Sequence, residues 1–140
     1  MTDLTHDHLF SRQFLWLKLA ASVYVAALLL AHWSLPTAFV WQIAIFFSIA
    51  MNFTYPWAAW KQANSQRCEW LIATALIVVS SLSLISSPMG VIAAIFLHGC
   101  WDIAKYQGHG TPFFSWYTLG CVLCDWTYSG ALLIYYLSIT

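Results

Sequence analysis

Charge is nearly absent from this sequence. Five basic and five acidic side chains are spread over 140 residues, 7 % of the chain, and they cancel to a net charge of zero. A water-soluble domain carries roughly a quarter charged residues. With 61 % hydrophobic residues and a mean hydropathy of +0.72, this chain has no material for a polar skin. The lack of a basic patch excludes a nucleic-acid binder, which must neutralise phosphates. Intrinsic disorder, which needs low hydrophobicity and high net charge, fails on the same composition. Period-two polar alternation is missing, which excludes a membrane β-barrel. No cleavable leader is expected, since Asp3, His6, Asp7 and His8 occupy the N-terminus and no small-residue cleavage site precedes the first apolar run. What remains is an all-α polytopic bundle whose first partner is the lipid bilayer.

A helix needs about 20 mostly apolar residues to cross a hydrocarbon core ~30 Å thick. Five stretches qualify, at about 14–33, 36–60, 68–86, 89–106 and 112–137, and together they make one transmembrane domain. Pro36 and Pro112 stand at helix starts, where a missing N–H does no harm. The polar stretch 61–67, the Ser86-Ser87-Pro88 break and the Gly108-His109-Gly110-Thr111-Pro112 turn separate the later spans. With alternating crossings, Arg12, Lys18, Lys61, Arg67 and Lys105 all fall on one side, and the opposite connections carry no charge. The positive-inside rule then predicts a cytoplasmic N-terminus and an external C-terminus. Trp16, Trp33, Trp57, Trp60, Trp70 and Trp116 sit near span ends, as an interfacial aromatic belt would.

The four cysteines do not suggest disulfides. Cys68 is expected at the cytoplasmic interface, and Cys100, Cys121 and Cys124 lie inside helices. Cys121-Val-Leu-Cys124 is a C-x-x-C motif in mid-helix, away from the helix N-terminus that activates such thiols, and is read as packing.

Ionisable groups within a span are costly and therefore informative. His98 and Asp102 lie in the fourth span at i and i+4, on one helix stripe. Cys121 and Asp125 repeat that spacing in the fifth, and Tyr128 continues the stripe. At ~1.5 Å per residue the two sets come within about 10 Å of the same depth. Gly99 and Gly120 permit close helix approach. The simplest arrangement is a facing pair, with the His98 imidazole hydrogen-bonded to a carboxylate. Asn52 and Tyr55 in the second span are expected to line the same cavity, with Trp101, Cys121 and Tyr128 completing a substrate-binding wall. His98, Asp102 and Asp125 are the candidate catalytic set. No metal-ligating set is assigned and no cofactor is named; His6-Asp7-His8 is read as a tail. His32 is read as interfacial, His109 as a solvated loop residue, and Glu69 with Arg67 as a surface pair.

The closing third, His98-Gly99-Cys100-Trp101-Asp102 through Pro112, Trp116-Tyr117, Cys121 and Asp125, resembles a family of small bacterial membrane proteins. Their pattern is H-G-x-x-D, a proline, W-Y or W-W, then C-x-x-x-D. That resemblance implies a bacterial inner-membrane location and brings no activity with it. A slighter similarity is to the emopamil-binding-protein group of sterol isomerases, in the aromatic-rich stretch 112–126. The acidic pair in that group's earlier helices has no counterpart here, so its chemistry is not carried over.

Three functions are expected in descending order. The first is an acid–base site that binds or transforms a lipid-soluble small molecule, with His98 moving the proton and Asp102 or Asp125 orienting it. Isomerisation, hydration and desaturation-type chemistry all fit. Diiron desaturation and bis-histidine haem binding are disfavoured, because only His98 is deep in a span. The second is proton-coupled transport of a small solute, which would call for a homodimer. The third is an accessory subunit of a membrane complex, with the polar cluster as structural glue.

Overall fold

The computed structural model describes residues 12–62 and 66–140. The His6-Asp7-His8 tail lies outside them. The described chain is all-helical: α1 (Arg12–Trp33), α2 (Thr37–Met51), α3 (Thr54–Lys61), α4 (Gln66–Leu82), α5 (Met89–Tyr106) and α6 (Ser115–Ile139). Helix α5 has the bounds expected from the sequence. The stretch expected at 36–60 is two helices, and the reason is Pro56. A proline has no N–H to offer the carbonyl four residues back, and its ring crowds that carbonyl. That position is Asn52. Asn52 and Phe53 keep right-handed backbone angles (φ −67°, ψ −11° and φ −81°, ψ −13°), so the chain jogs and continues. The stretch expected at 68–86 ends its helix at Leu82. Ser80, Ser83 and Ser86 turn their hydroxyls back onto the carbonyls of Leu76, Val79 and Leu82, and the backbone tightens into i→i+3 bonds from Ser83 to Ile85.

Two helical stretches among the described residues, Thr37–Lys61 and Ser115–Ile139, are long and apolar enough to cross a membrane. Helix α5 is the hub, packing on α2, α4 and α6, while α1 lies against α6. One apolar cluster joins Val40, Ala44 and Ile45 to Val91, Ile92, Ile95, Tyr128 and Leu132. A second joins Tyr55, Ala73, Leu76, Ala94 and Trp101 nearer the α5–α6 turn. That turn is closed by a Schellman motif: His109 N–H bonds to Ala104 O at 3.0 Å and Gly108 N–H to Lys105 O at 2.9 Å, with Gly108 at φ +87°.

Around these apolar clusters, large apolar side chains are exposed and several ionisable ones are buried. Leu30, Phe46, Ile85, Leu71 and Ile134 are each at least 70 % exposed, while Asp102, Asp125, His98, Asn52, Glu69 and Lys105 are 5 % exposed or less. All six tryptophans assigned to a belt are exposed.

Candidate functional site

The residues singled out in α5 and α6 meet. Donor atoms of His98, Asp102 and Asp125 lie within 4.8 Å of one another, and all three residues are buried. Gly99 makes this approach possible. A Cβ at that position would stand 2.6 Å from Trp126 Cδ1 and 3.3 Å from Asp125 Cβ, so any side chain there would push α6, and Asp125 with it, away from α5.

The imidazole is not hydrogen-bonded to a carboxylate, as the facing-pair arrangement expected. His98 Nε2 stands 3.8 Å from Asp102 Oδ1, beyond hydrogen-bond range. Its partner is Asn52, at the α2–α3 jog, through Nδ1···Oδ1 at 2.9 Å. The Asn52 amide nitrogen donates to Ser48 O at 2.6 Å, which leaves only an acceptor oxygen for the ring. His98 Nδ1 must therefore carry the proton, and Nε2 presents a lone pair to the carboxylates. Ser48 is held in turn by Ser80 of α4 at 2.7 Å.

Tyr55, one turn beyond Asn52, donates its hydroxyl to Asp102 Oδ1. Its ring stacks on His98 at 5.8 Å and meets Trp101 edge-on at 4.8 Å and Phe113 at 5.2 Å. Trp101 also stands edge-on to His98 at 5.5 Å. The carboxyl groups of Asp102 and Asp125 are within hydrogen-bonding reach of each other, yet Oδ2 of each is buried with no hydrogen-bond partner among the protein groups. Cys121 is half-buried on the same side, hydrogen-bonded to Tyr117 and in electrostatic contact with both aspartates.

Tyr128 is buried, but it does not join this group. Its hydroxyl pairs with His32 Nε2 at 2.8 Å, and His32 is 5 % exposed rather than interfacial. A cavity of about 500 Å³, lined by His32, Val40, Tyr135 and Ser138 among others, lies at that end of the bundle.

A second polar centre escaped the sequence. Glu69 is 2 % exposed and is not a surface partner of Arg67. It forms an ion pair with Lys105 of α5, and its Oε1 also accepts Thr111 N–H at 3.0 Å. Gly110, at φ +72°, passes so close that a Cβ would stand 2.7 Å from Lys105 Nζ and 2.8 Å from Glu69 Oε1. Glu69, Lys105, His109 and Thr111 border a cavity of about 340 Å³ together with Cys68, Ile72, Trp101 and Ala104. The available signal was the isolation of Lys105 and Glu69 between apolar neighbours. Their separation of 36 positions is invisible to local pattern. His109 is exposed, as expected.

Comparison with protein-family models, with curated proteins and with solved structures gives no match to this chain. The chemistry is therefore read from the geometry. A fixed imidazole lone pair facing two adjacent carboxyl groups can accept a proton, hand one on, or hold a cation.

Proposed function

We propose that this chain is a multi-pass membrane protein of five spans, with its N-terminus in the cytoplasm. Its His98–Asp102–Asp125 centre binds a lipid-soluble small molecule and exchanges a proton with it. Two helical stretches long and apolar enough to cross a membrane, exposed apolar side chains along the other helices and basic residues gathered at one set of connections support the topology. A bacterial inner-membrane location rests on the resemblance of 98–125 to small bacterial membrane proteins. The observation that carries the chemistry is the tautomer of His98. Asn52 fixes Nδ1 as the donor, so Nε2 is a free base aimed at two carboxyl groups whose Oδ2 atoms have no partner. Buried polar groups are normally satisfied, and unsatisfied ones call for a role.

Native mass spectrometry of the protein released from mild detergent tests this reading. A lipophilic small molecule should remain on the wild-type chain and be absent from Asp125→Asn at unchanged helicity. Equal retention by both would contradict it.

Proton-coupled transport by a homodimer is a second reading, favoured by one arrangement. Titratable groups lie at Glu69 and Lys105, at Tyr55, Asp102 and Asp125, and separately at Tyr128 and His32, with a cavity beside the first and the last pair. Proton flux in protein-loaded liposomes, lost in Asp125→Asn, would favour it over an enzyme.

A further inference from the structure

We propose that His98, Asp102 and Asp125 form a binding site for one divalent transition-metal ion of the zinc class. The proposal deepens the preceding reading and rests on the same three groups meeting in one centre; it specifies what balances their charge.

Two carboxyl groups and an imidazole meet in a region that is fully buried, and Oδ2 of each carboxyl group has no partner among the protein groups. An isolated buried ion costs several kcal/mol even after relaxation. Lys105, the nearest buried cation on α5, is already bonded to Glu69. Lys18, Lys61 and Arg67 are exposed. Among the described side chains no other basic group is free to compensate. A buried carboxyl group can stay neutral by holding its proton; one divalent cation can displace the protons of both and, with the two carboxylates then ionised, leaves the centre neutral.

Donor chemistry and orientation then select the ion. One imidazole nitrogen with two carboxylates is a borderline set suited to zinc, manganese or iron. Calcium takes six to eight oxygens, and magnesium keeps several waters. Metal-binding imidazoles characteristically donate their other N–H to a fixed acceptor, which orients the ring. His98 Nδ1 makes that bond to Asn52 Oδ1, and Asn52 is itself anchored on Ser48 O. Asp102 is oriented likewise, with Oδ1 accepting from Tyr55 and Oδ2 unpartnered.

The distances are close to those needed. A tetrahedral ion with bonds of about 2.0–2.1 Å holds its ligand atoms about 3.4 Å apart. His98 Nε2 to Asp102 Oδ1 is 3.8 Å and the whole set lies within 4.8 Å, so rotation of carboxyl groups with unpartnered oxygens closes the site. Three protein donors leave one position open, as in zinc sites that work on a substrate.

The test is metal stoichiometry on the full-length chain, purified without a polyhistidine tag, stripped with chelator and reloaded with Zn²⁺ or Co²⁺. One ion per chain is expected, with visible Co²⁺ bands of a low-coordinate N/O site. Asp125→Asn and His98→Ala should each lose the stoichiometric ion. Asn52→Leu, which touches no metal, should weaken affinity by roughly 10–100-fold. His6→Ala/His8→Ala and Cys100→Ser should retain full loading. Binding that follows the N-terminal histidines or the thiols would overturn the proposal, as would fewer than about 0.1 ion per wild-type chain. Should Asn or Ala at a ligand position prevent folding, the Asn52→Leu affinity and the wild-type Co²⁺ spectrum decide alone. Metal-free protein that still holds its lipophilic molecule in an Asp125-dependent manner would overturn the ion while leaving the acid–base reading in place.

Discussion

Helix α5 carries two buried polar centres about one turn apart, and they are built on opposite principles. At Lys105 the charge is answered by Glu69, whose Oε1 also takes a backbone N–H from Thr111. The centre is built around its own ion pair, with Glu69 Oε2 turned away from any protein partner beside the cavity. At His98 and Asp102, α6 contributes a second carboxylate instead of a cation, and the fixed imidazole offers a lone pair rather than a proton. One centre pairs a carboxylate with a cation of its own chain, and the other brings two carboxyl groups to an imidazole lone pair with no lysine or arginine between them. A low-dielectric interior makes that difference expensive, which is why the second is read as the working site and the first as a tie between α4 and α5.

The largest effect should come from breaking the balanced centre. Lys105→Met leaves Glu69 buried without its cation, and such losses cost about 3–5 kcal/mol. The 340 Å³ cavity beside the pair allows hydration and places the value toward the lower end. A fall of several degrees in Tm is expected in detergent, with recovery when Glu69→Leu is added. If the single variant melts like wild type, the pair is not a tie.

Gly99→Ala sharpens the comparison from the other side, because the new methyl would meet the indole of Trp126. Overpacking of this kind costs about 1–3 kcal/mol, and Trp126, 40 % exposed, can give way in part. Ligand or metal loading should fall more than Tm does, since α6 carries Asp125. Equal Tm and loading would show that the helix approach is not what builds the site.

Tyr128→Phe is the smallest change. It removes a single hydrogen bond to His32, worth about 1 kcal/mol, and should leave loading at the His98 centre unaltered. Loss of loading would join the two ends of the bundle into one functional unit and favour the transport reading.

The legibility of these two centres in the sequence differs for physical reasons. His98, Asp102 and Asp125 were recognisable because ionisable residues in apolar stretches are rare, and because i,i+4 spacing on helices joined by a short turn fixes both face and depth. Asn52 and Tyr55 were placed at the right depth, but their bonds to His98 and Asp102 depend on the jog that Pro56 creates. Sequence proximity pairs Glu69 with Arg67, but α4 turns it inward to a lysine far along the chain. Lys105 served only as an orientation marker. His32, at a helix end, was assigned to the interface, since nothing local announces a tyrosine on α6. Single-helix periodicity says which face a residue shares, not which helix that face meets.

The carboxyl groups at His98 are not needed to hold the fold, whereas the one at Lys105 is. Thermal unfolding of Asp125→Asn and Glu69→Gln, measured side by side in one detergent, tests it directly. Asn keeps the shape of the buried side chain and never has to carry a charge there, so Asp125→Asn should melt at or above the wild-type temperature in metal-free protein. Glu69→Gln strands a buried ammonium and should melt several degrees lower. If Asp125→Asn loses as much stability as Glu69→Gln, both centres are ties and the functional reading of His98, Asp102 and Asp125 is wrong.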